Sequence, residues 1–237
     1  MTTTAPGLSV APAAFLRRYA AWSLDISLLL ALALLLCFTR VRDGVARIAA
    51  ALDAIARSMA QAMADLLLHG ATPLDLARAW LDDPRQRAAI AALSDALAAT
   101  VFPPLLLAAL LALAWFAAFE ASAWQATPGK RALGLRVVDA RGTRIGIARA
   151  AARHLAGALS WITLNIGHLL ALVPPRRQAL HDRIAGTQVA QDPRTGARLP
   201  AWATIWLALQ GVAAIAAAAW LFLAAHAAMQ RAFDTLL

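Results

Sequence analysis

RRYAAWSLDISLLL, residues 17–30, sets two arginines at the mouth of an apolar run and an aspartate, Asp25, about one-third of the way into it. The run stays apolar to Phe38, and residues 19–38 match the roughly 20 residues that a helix needs to cross a bilayer. An ionisable group inside such a segment is expensive, and it marks a functional group or an interior contact. The fold class turns on this reading. The composition agrees with it: 61% of the 237 residues are hydrophobic and the mean hydropathy is +0.63, against roughly 45–50% apolar residues in soluble domains.

Two more stretches are long and apolar enough to span, residues 102–123 after a VFPP turn and residues 202–225 after Pro200. Trp22, Trp124, Trp202 and Trp206 lie near the expected ends, where interfacial aromatics collect. Residues 155–173 are a fourth candidate, interrupted by Asn165, Gly167 and His168 and closed by Pro174-Pro175. The first span is too long for a signal-peptide core and no small-residue cleavage site follows it, so it reads as a retained helix with Arg17 and Arg18 in the cytoplasm. Residues 1–14 read as a flexible tail.

The net charge of +9 is almost wholly arginine, since Lys130 is the single lysine. In a chain this apolar, the charge implies cytoplasmic basic loops beside the lipid bilayer and its anionic head groups. Nucleic acid is excluded as a partner, because the arginines flank membrane segments and no reading module accompanies them. Cys37 stands alone, so no disulfide can close within one chain.

Residues 40–100 balance seven arginines with seven aspartates. Val45, Ile48, Leu52, Ile55, Met59, Met63 and Leu66 trace one apolar stripe at helical spacing. Asp43/Arg47 and Asp53/Arg57 are opposite-charge pairs one turn apart. The helix should stop at His69-Gly70. TPLD, residues 72–75, opens a second helix with Thr72 as N-cap and Pro73 in its first turn. Asp83-Pro84 opens a third, reaching about Thr100. With the first span running outward this segment is extracytoplasmic, as a helical spacer or as a partner-binding or self-associating hairpin.

Residues 125–201 are different in kind. TPGKRALGLRVVDARGTRI predicts a Pro-Gly turn, a strand over 135–139, a turn through Gly142, a second strand over 143–147, and a helix from Ala148. A further short strand is expected over 187–190. Residues 124–154 hold seven Lys and Arg and residues 174–200 hold five. A full crossing by 155–173 would expose one basic block outside, against the positive-inside tendency. A broken or re-entrant element keeps both blocks in the cytoplasm and lets 135–139 pair with 187–190. The second arrangement is favoured.

Three blocks in order, R-x-x-A-x-x-x-D (Arg18, Ala21, Asp25), T-P-G-K-R-x-x-G-L-R-V-V-D-x-x-G (127–142) and L-H-D-x-x-A-G-T-x-V (180–189), resemble the RDD family of bacterial membrane proteins. The family's arginine and two aspartates correspond by position to Arg18, Asp25 and Asp182. The resemblance covers about residues 15–190, leaving the 40–100 helical insert and a linker with a further span over 191–237 as additions. It implies a multi-pass inner-membrane protein with a cytoplasmic N-terminus, and transport of an ion or small ligand as its activity.

Asp25 lies seven residues beyond Arg18, nearly on the same helical face and about 10.5 Å along the axis. A cation from another segment is therefore the expected partner of Asp25, leaving Arg18 for a lipid phosphate or a nearby carboxylate. Asp25 is then a titratable carboxylate facing a polar cavity, or a tether between helices. Asp182 is expected at the cytoplasmic interface as a helix cap, beside His181, which titrates near neutral pH when unperturbed. Glu120 is placed to pair with Lys130 or Arg131, and Lys130, Arg131 and Arg136 to lie along head groups. Arg153 and His168 complete the candidate ligand, ion or lipid contacts. TPGK lacks the first glycine of a phosphate loop, which Trp124 replaces. No catalytic motif, metal-ligand spacing or cofactor fingerprint is present, so an enzyme is not expected. The expected fold is an all-α membrane protein of three to four transmembrane helices, with a small cytoplasmic β element and an extracytoplasmic helical insert. Two functions remain: transport centred on Asp25, alone as a homo-oligomer or with a membrane partner, and a non-catalytic scaffold for another membrane complex.

Overall fold

A computed structural model describes residues 11–69 and 72–234. In chain order it contains α1 (Phe15–Leu36), α2 (Phe38–His69), α3 (Pro73–Asp82), α4 (Pro84–Ala121), α5 (Pro128–Ala132), β1 (Leu135–Asp139), α6 (Ile147–Ile162), α7 (Ile166–Leu169), a 3-10 turn (Leu170–Leu172), α8 (Leu180–Ile184), β2 (Thr187–Gln191) and α9 (Ala201–Asp234). Three helical stretches are long and apolar enough to cross a membrane: Phe15–Leu36, Pro84–Ala121 and Ala201–Ala224. The protein is thus mostly helical with three candidate spans and one small sheet.

The described residues form two compact units. The first comprises the described chain up to Leu32 together with Leu107–Ala208. Its core is built from Ala20, Ala21, Ala117, Leu133, Val137 and Val189 among others. The alanines on α1 and α4 let backbones approach closely, as helices in lipid require. β1 and β2 pair antiparallel with Leu135 opposite Gln191 and Asp139 opposite Thr187. The expected strand over 143–147 does not form. Asp139 instead accepts bonds from the Arg141 and Thr143 amides and the Thr143 hydroxyl, which curls the chain into a loop before α6. The tail reading also changes. Ala13 donates its N–H to Val189 O at 3.0 Å and Gln191 donates to Ala11 O at 2.9 Å, so residues 11–13 line the free edge of β2. Residues 1–10 lie outside the described residues.

The doubtful fourth span is α6 followed by α7 and its 3-10 turn, with a bend of 116° between them. The bend has a local cause. Leu164 and Asn165 take left-handed backbone conformations, φ 51° and 67°, and Thr163 Oγ1 bonds back to Leu159 O. Asn tolerates that conformation and leucine does so at a cost.

The second unit comprises Ala33–Leu106 and the described chain from Leu209. α3 starts as expected: Thr72 accepts from the Asp75 amide while Asp75 accepts from the Thr72 amide, a reciprocal capping box. Three expectations are corrected. VFPP is no turn, because Pro103 and Pro104 lie inside α4, which joins the third insert helix and the second span in one helix. Proline's fixed φ is helical, and an apolar run that has no water to bond its freed carbonyls keeps the remaining ladder. Among the residues of α2 whose burial is described, the buried positions are Gly44, Ala51 and Ser58, one residue away from the exposed Val45, Leu52 and Met59. Gly44 lies against Thr100 and Ser58 bonds Gln86, so α2 packs antiparallel on the start of α4 through small residues. Asp43 pairs with its neighbour Arg42 at 2.9 Å rather than forming the expected pair with Arg47.

Candidate functional site

The TPGK stretch folds into α5 because Thr127 caps it and Pro128 occupies its first turn. That short helix is pressed onto α1 at Asp25. A Cβ on Gly129 would run into Ala21 O and stand 2.8 Å from Asp25 Oδ2, so only glycine allows this approach. Asp25, 3% exposed, accepts from Thr127 Oγ1 at 2.5 Å, the Gly129 N–H at 2.9 Å and Trp115 Nε1 at 3.3 Å. All three donors are neutral. The cation expected opposite Asp25 is therefore replaced by a set of hydrogen bonds that joins α1, α4 and α5.

The charges converge elsewhere, around Arg153 on α6. Its Nη1 donates to both oxygens of Glu120, at 2.8 and 2.7 Å, and its Nε donates to Asp182 Oδ1 at 2.9 Å. Glu120 also takes the Lys130 ammonium, and Asp182 takes the Arg18 guanidinium. The order Lys130–Glu120–Arg153–Asp182–Arg18 alternates in sign throughout. Glu120 and Asp182 have no exposed surface. Excess lone pairs are filled as well, since Asp182 Oδ2 accepts from the Ala179 N–H at 3.1 Å. Asp182 is a cap, as its position in α8 suggests, but it is a fully buried one rather than an interfacial group. Burial alone would raise its carboxyl, yet Arg153 and then Arg18 outweigh that and hold it far below the usual carboxylate range.

His181 sits against Arg153, Nε2 to Nη2 at 3.3 Å. Burial, reinforced by Arg153, pushes its pKa down to about 3, so it is neutral where an ordinary histidine titrates. Of the expected head-group contacts, Lys130 is buried and spends its charge on Glu120. Arg131 and Arg136 are exposed, with Arg131 over the Trp124 ring at 4.3 Å. Glu120 thus pairs with one of its two expected partners, Lys130, and with Arg153.

A cavity of about 570 Å³ opens beside this network, lined by Arg18, Lys130, Arg153, His154, His168 and His181 together with aromatic groups. That volume lies within the roughly 300–1,000 Å³ of small-molecule pockets. Its polar wall is cationic or neutral, because the two acids lie behind it. Sequence reasoning missed Thr127, Trp115, Arg17 and His154. Thr127 was visible as the first residue of the TPGKR block. Arg17, buried and bonded to the carbonyls of Leu133, Gly196 and Arg198, resembles any interfacial arginine, and no spacing marks His154.

The RDD family model matches residues 12–186. The uncharacterized protein YxaI of Bacillus subtilis (strain 168) is 32% identical over 87 residues, which cover 37% of this chain and 57% of that protein. No solved structure matches.

Proposed function

The chain belongs to the RDD family, and on that basis we propose that it is a multi-pass protein of the bacterial inner membrane that binds and moves an ion or small solute, and is not an enzyme. The observation that carries this reading is the 570 Å³ cavity against the buried ion network. The network supplies a fixed electrostatic wall, since each acid is matched and cannot change charge without breaking a buried pair. In this reading Asp25 and Asp182 hold the frame, and the cavity side of Arg18, Lys130 and Arg153 meets the solute. Both basic blocks lie in the cytoplasm with the N-terminus, a placement supported by the 116° bend and by the pairing of β1 with β2 across it.

The test is flux. Purified protein in liposomes carrying pH-sensitive or anion-sensitive dye is expected to move protons or a small anion faster than empty vesicles do. A folded wild type that moves neither overturns the transport reading. One observation favours the second reading, a non-catalytic scaffold: the Asp25 oxygens are filled by neutral donors from two other helices. Asp25→Asn tests the role of Asp25 within the transport reading. As a clamp, Asp25 affects melting temperature and yield, and flux per folded molecule persists. As the titratable carrier, its replacement abolishes flux at unchanged stability.

A further inference from the structure

The rings on the cavity wall run in one sequence from aromatic groups to imidazoles. Tyr19 and Trp22 have centroids 5.9 Å apart, Trp22 and Trp161 6.1 Å, Trp161 and His168 6.1 Å, and His168 and His181 5.3 Å. The last imidazole touches Arg153. α1 repeats the gradient, because Arg18 and Trp22 are one turn apart on the same face, about 6 Å along the axis. One end of the cavity is therefore cationic and the other aromatic.

The polar end carries two unpartnered ring nitrogens. His181 Nε2 faces a guanidinium, which can only donate, so this nitrogen is the acceptor and the ring proton sits on Nδ1. That Nδ1 is buried without a partner, and so is Nδ1 of His168. A buried polar atom without a partner is costly; these two belong to rings that line the cavity but are themselves closed to water, so an anion meets them only after the rings turn, while Arg18 and Arg153 give that end its positive charge. The wall carries no carboxylate among the described residues, so nothing repels one. A bare anion would leave the Trp22 and Trp161 end of the cavity unfilled.

We propose that the cavity takes an anionic amphiphile, with its phosphate or carboxylate head at Arg18, His168 and His181 and its chain along Trp161 and Trp22. The proposal rests on the solute-binding reading above and names the class of molecule. The favoured source is the bilayer, because the polar-to-apolar direction of the cavity follows α1 from its arginine end into its apolar run.

Gly157 provides the test. It lines the cavity, it is helical, and a Cβ there meets no atom within 4 Å. The ring of Gly157→Phe enters that open space one turn beyond Arg153, and an undiminished melting temperature shows the ion network intact. His168→Phe keeps a ring against Trp161 and removes the polar nitrogens. Full-length protein in neutral detergent is titrated with phosphatidylglycerol, phosphatidylcholine or inorganic phosphate, and bound molecules are counted by native mass spectrometry. Phosphatidylglycerol should bind at least tenfold tighter than phosphatidylcholine. Gly157→Phe should lose at least tenfold of that binding at an undiminished melting temperature, and His168→Phe should lower the preference several-fold. Equal binding of the two lipids, or binding that neither variant weakens, overturns the proposal. Inorganic phosphate binding as tightly as phosphatidylglycerol overturns it in favour of a free anion. Flux through pure phosphatidylcholine vesicles that Gly157→Phe blocks would overturn the amphiphile and leave transport standing. Selective lipid binding by a protein without flux supports the amphiphile while removing transport.

Discussion

Asp182 and Asp25 occupy equivalent places in the family signature yet do different physical work. Asp182 balances two guanidiniums in a buried network, so Asp182→Asn leaves uncompensated charge and should cost ~3–5 kcal/mol. Asp25→Asn disturbs hydrogen bonds to neutral donors and removes a charge that Lys130 feels at longer range, and should cost ~1–3 kcal/mol. Thermal unfolding of both variants in one detergent checks the order, and a more damaging Asp25→Asn would contradict it. His181 gives a pH signature. Its folded pKa of about 3 lies below the ordinary value of about 6.5, so the unfolded chain binds the extra proton between those values. Stability is present above pH ~6.5 and falls toward pH 3 by up to about 1.4 kcal/mol per unit from this proton. The groups facing the ring are Arg153, Asp182, Arg18 and His168, and Asp182 adds its own loss only below about pH 4. His181→Gln keeps an acceptor for Arg153 and should flatten the slope in melting temperature over that window. An unchanged slope would mean the ring is not held neutral. Arg18, Asp25 and Asp182 are recognisable from their motifs, but their partners are not. The Arg18–Asp182 bond closes 164 residues of chain, and no local pattern records which acid an arginine meets.

The helices divide into those whose ends are written locally and those whose faces depend on neighbours. The α3 start is of the first kind, since Thr72, Pro73 and Asp75 carry their own cap. Thr72→Ala should weaken this helix by about 1 kcal/mol, seen as several-fold faster hydrogen exchange over 73–82 with little change in the first unit. Uniform exchange in both proteins would sink that assignment. The α6–α7 bend is also local, announced by Asn165 and Gly167. α2 is of the second kind. Periodicity finds the stripe of Val45, Leu52 and Met59, but the helix packs through Gly44, Ala51 and Ser58. Gly44 lies against Thr100 and Ser58 bonds Gln86, so the face of α2 that packs is set by what α4 presents, which the stripe on α2 does not record. The double proline of α4 misleads too, since a proline that ends a helix in water is tolerated in an apolar one.

For the whole molecule, the arrangement about the bend yields a topology that reporters can read. A reporter inserted after Gly142 and one fused after Asp192 should both report the same side of the membrane, because β1 and β2 lie side by side. Opposite locations would require α6 and α7 to cross fully. By itself the sequence determined the membrane class, the three apolar spans, the cap of α3, the break near Asn165 and the family, and it favoured the pairing of 135–139 with the later strand. These depend on composition, spacing and residue chemistry along a few turns of chain. Only the tertiary structure decided that α5 closes on Asp25 through neutral donors, that Glu120, Arg153 and Asp182 form one alternating network, and that a cationic, aromatic-lined cavity lies beside it. Those features join residues separated by tens to more than a hundred positions, and in a low-dielectric interior each charge is stable only with the partner that folding brings to it.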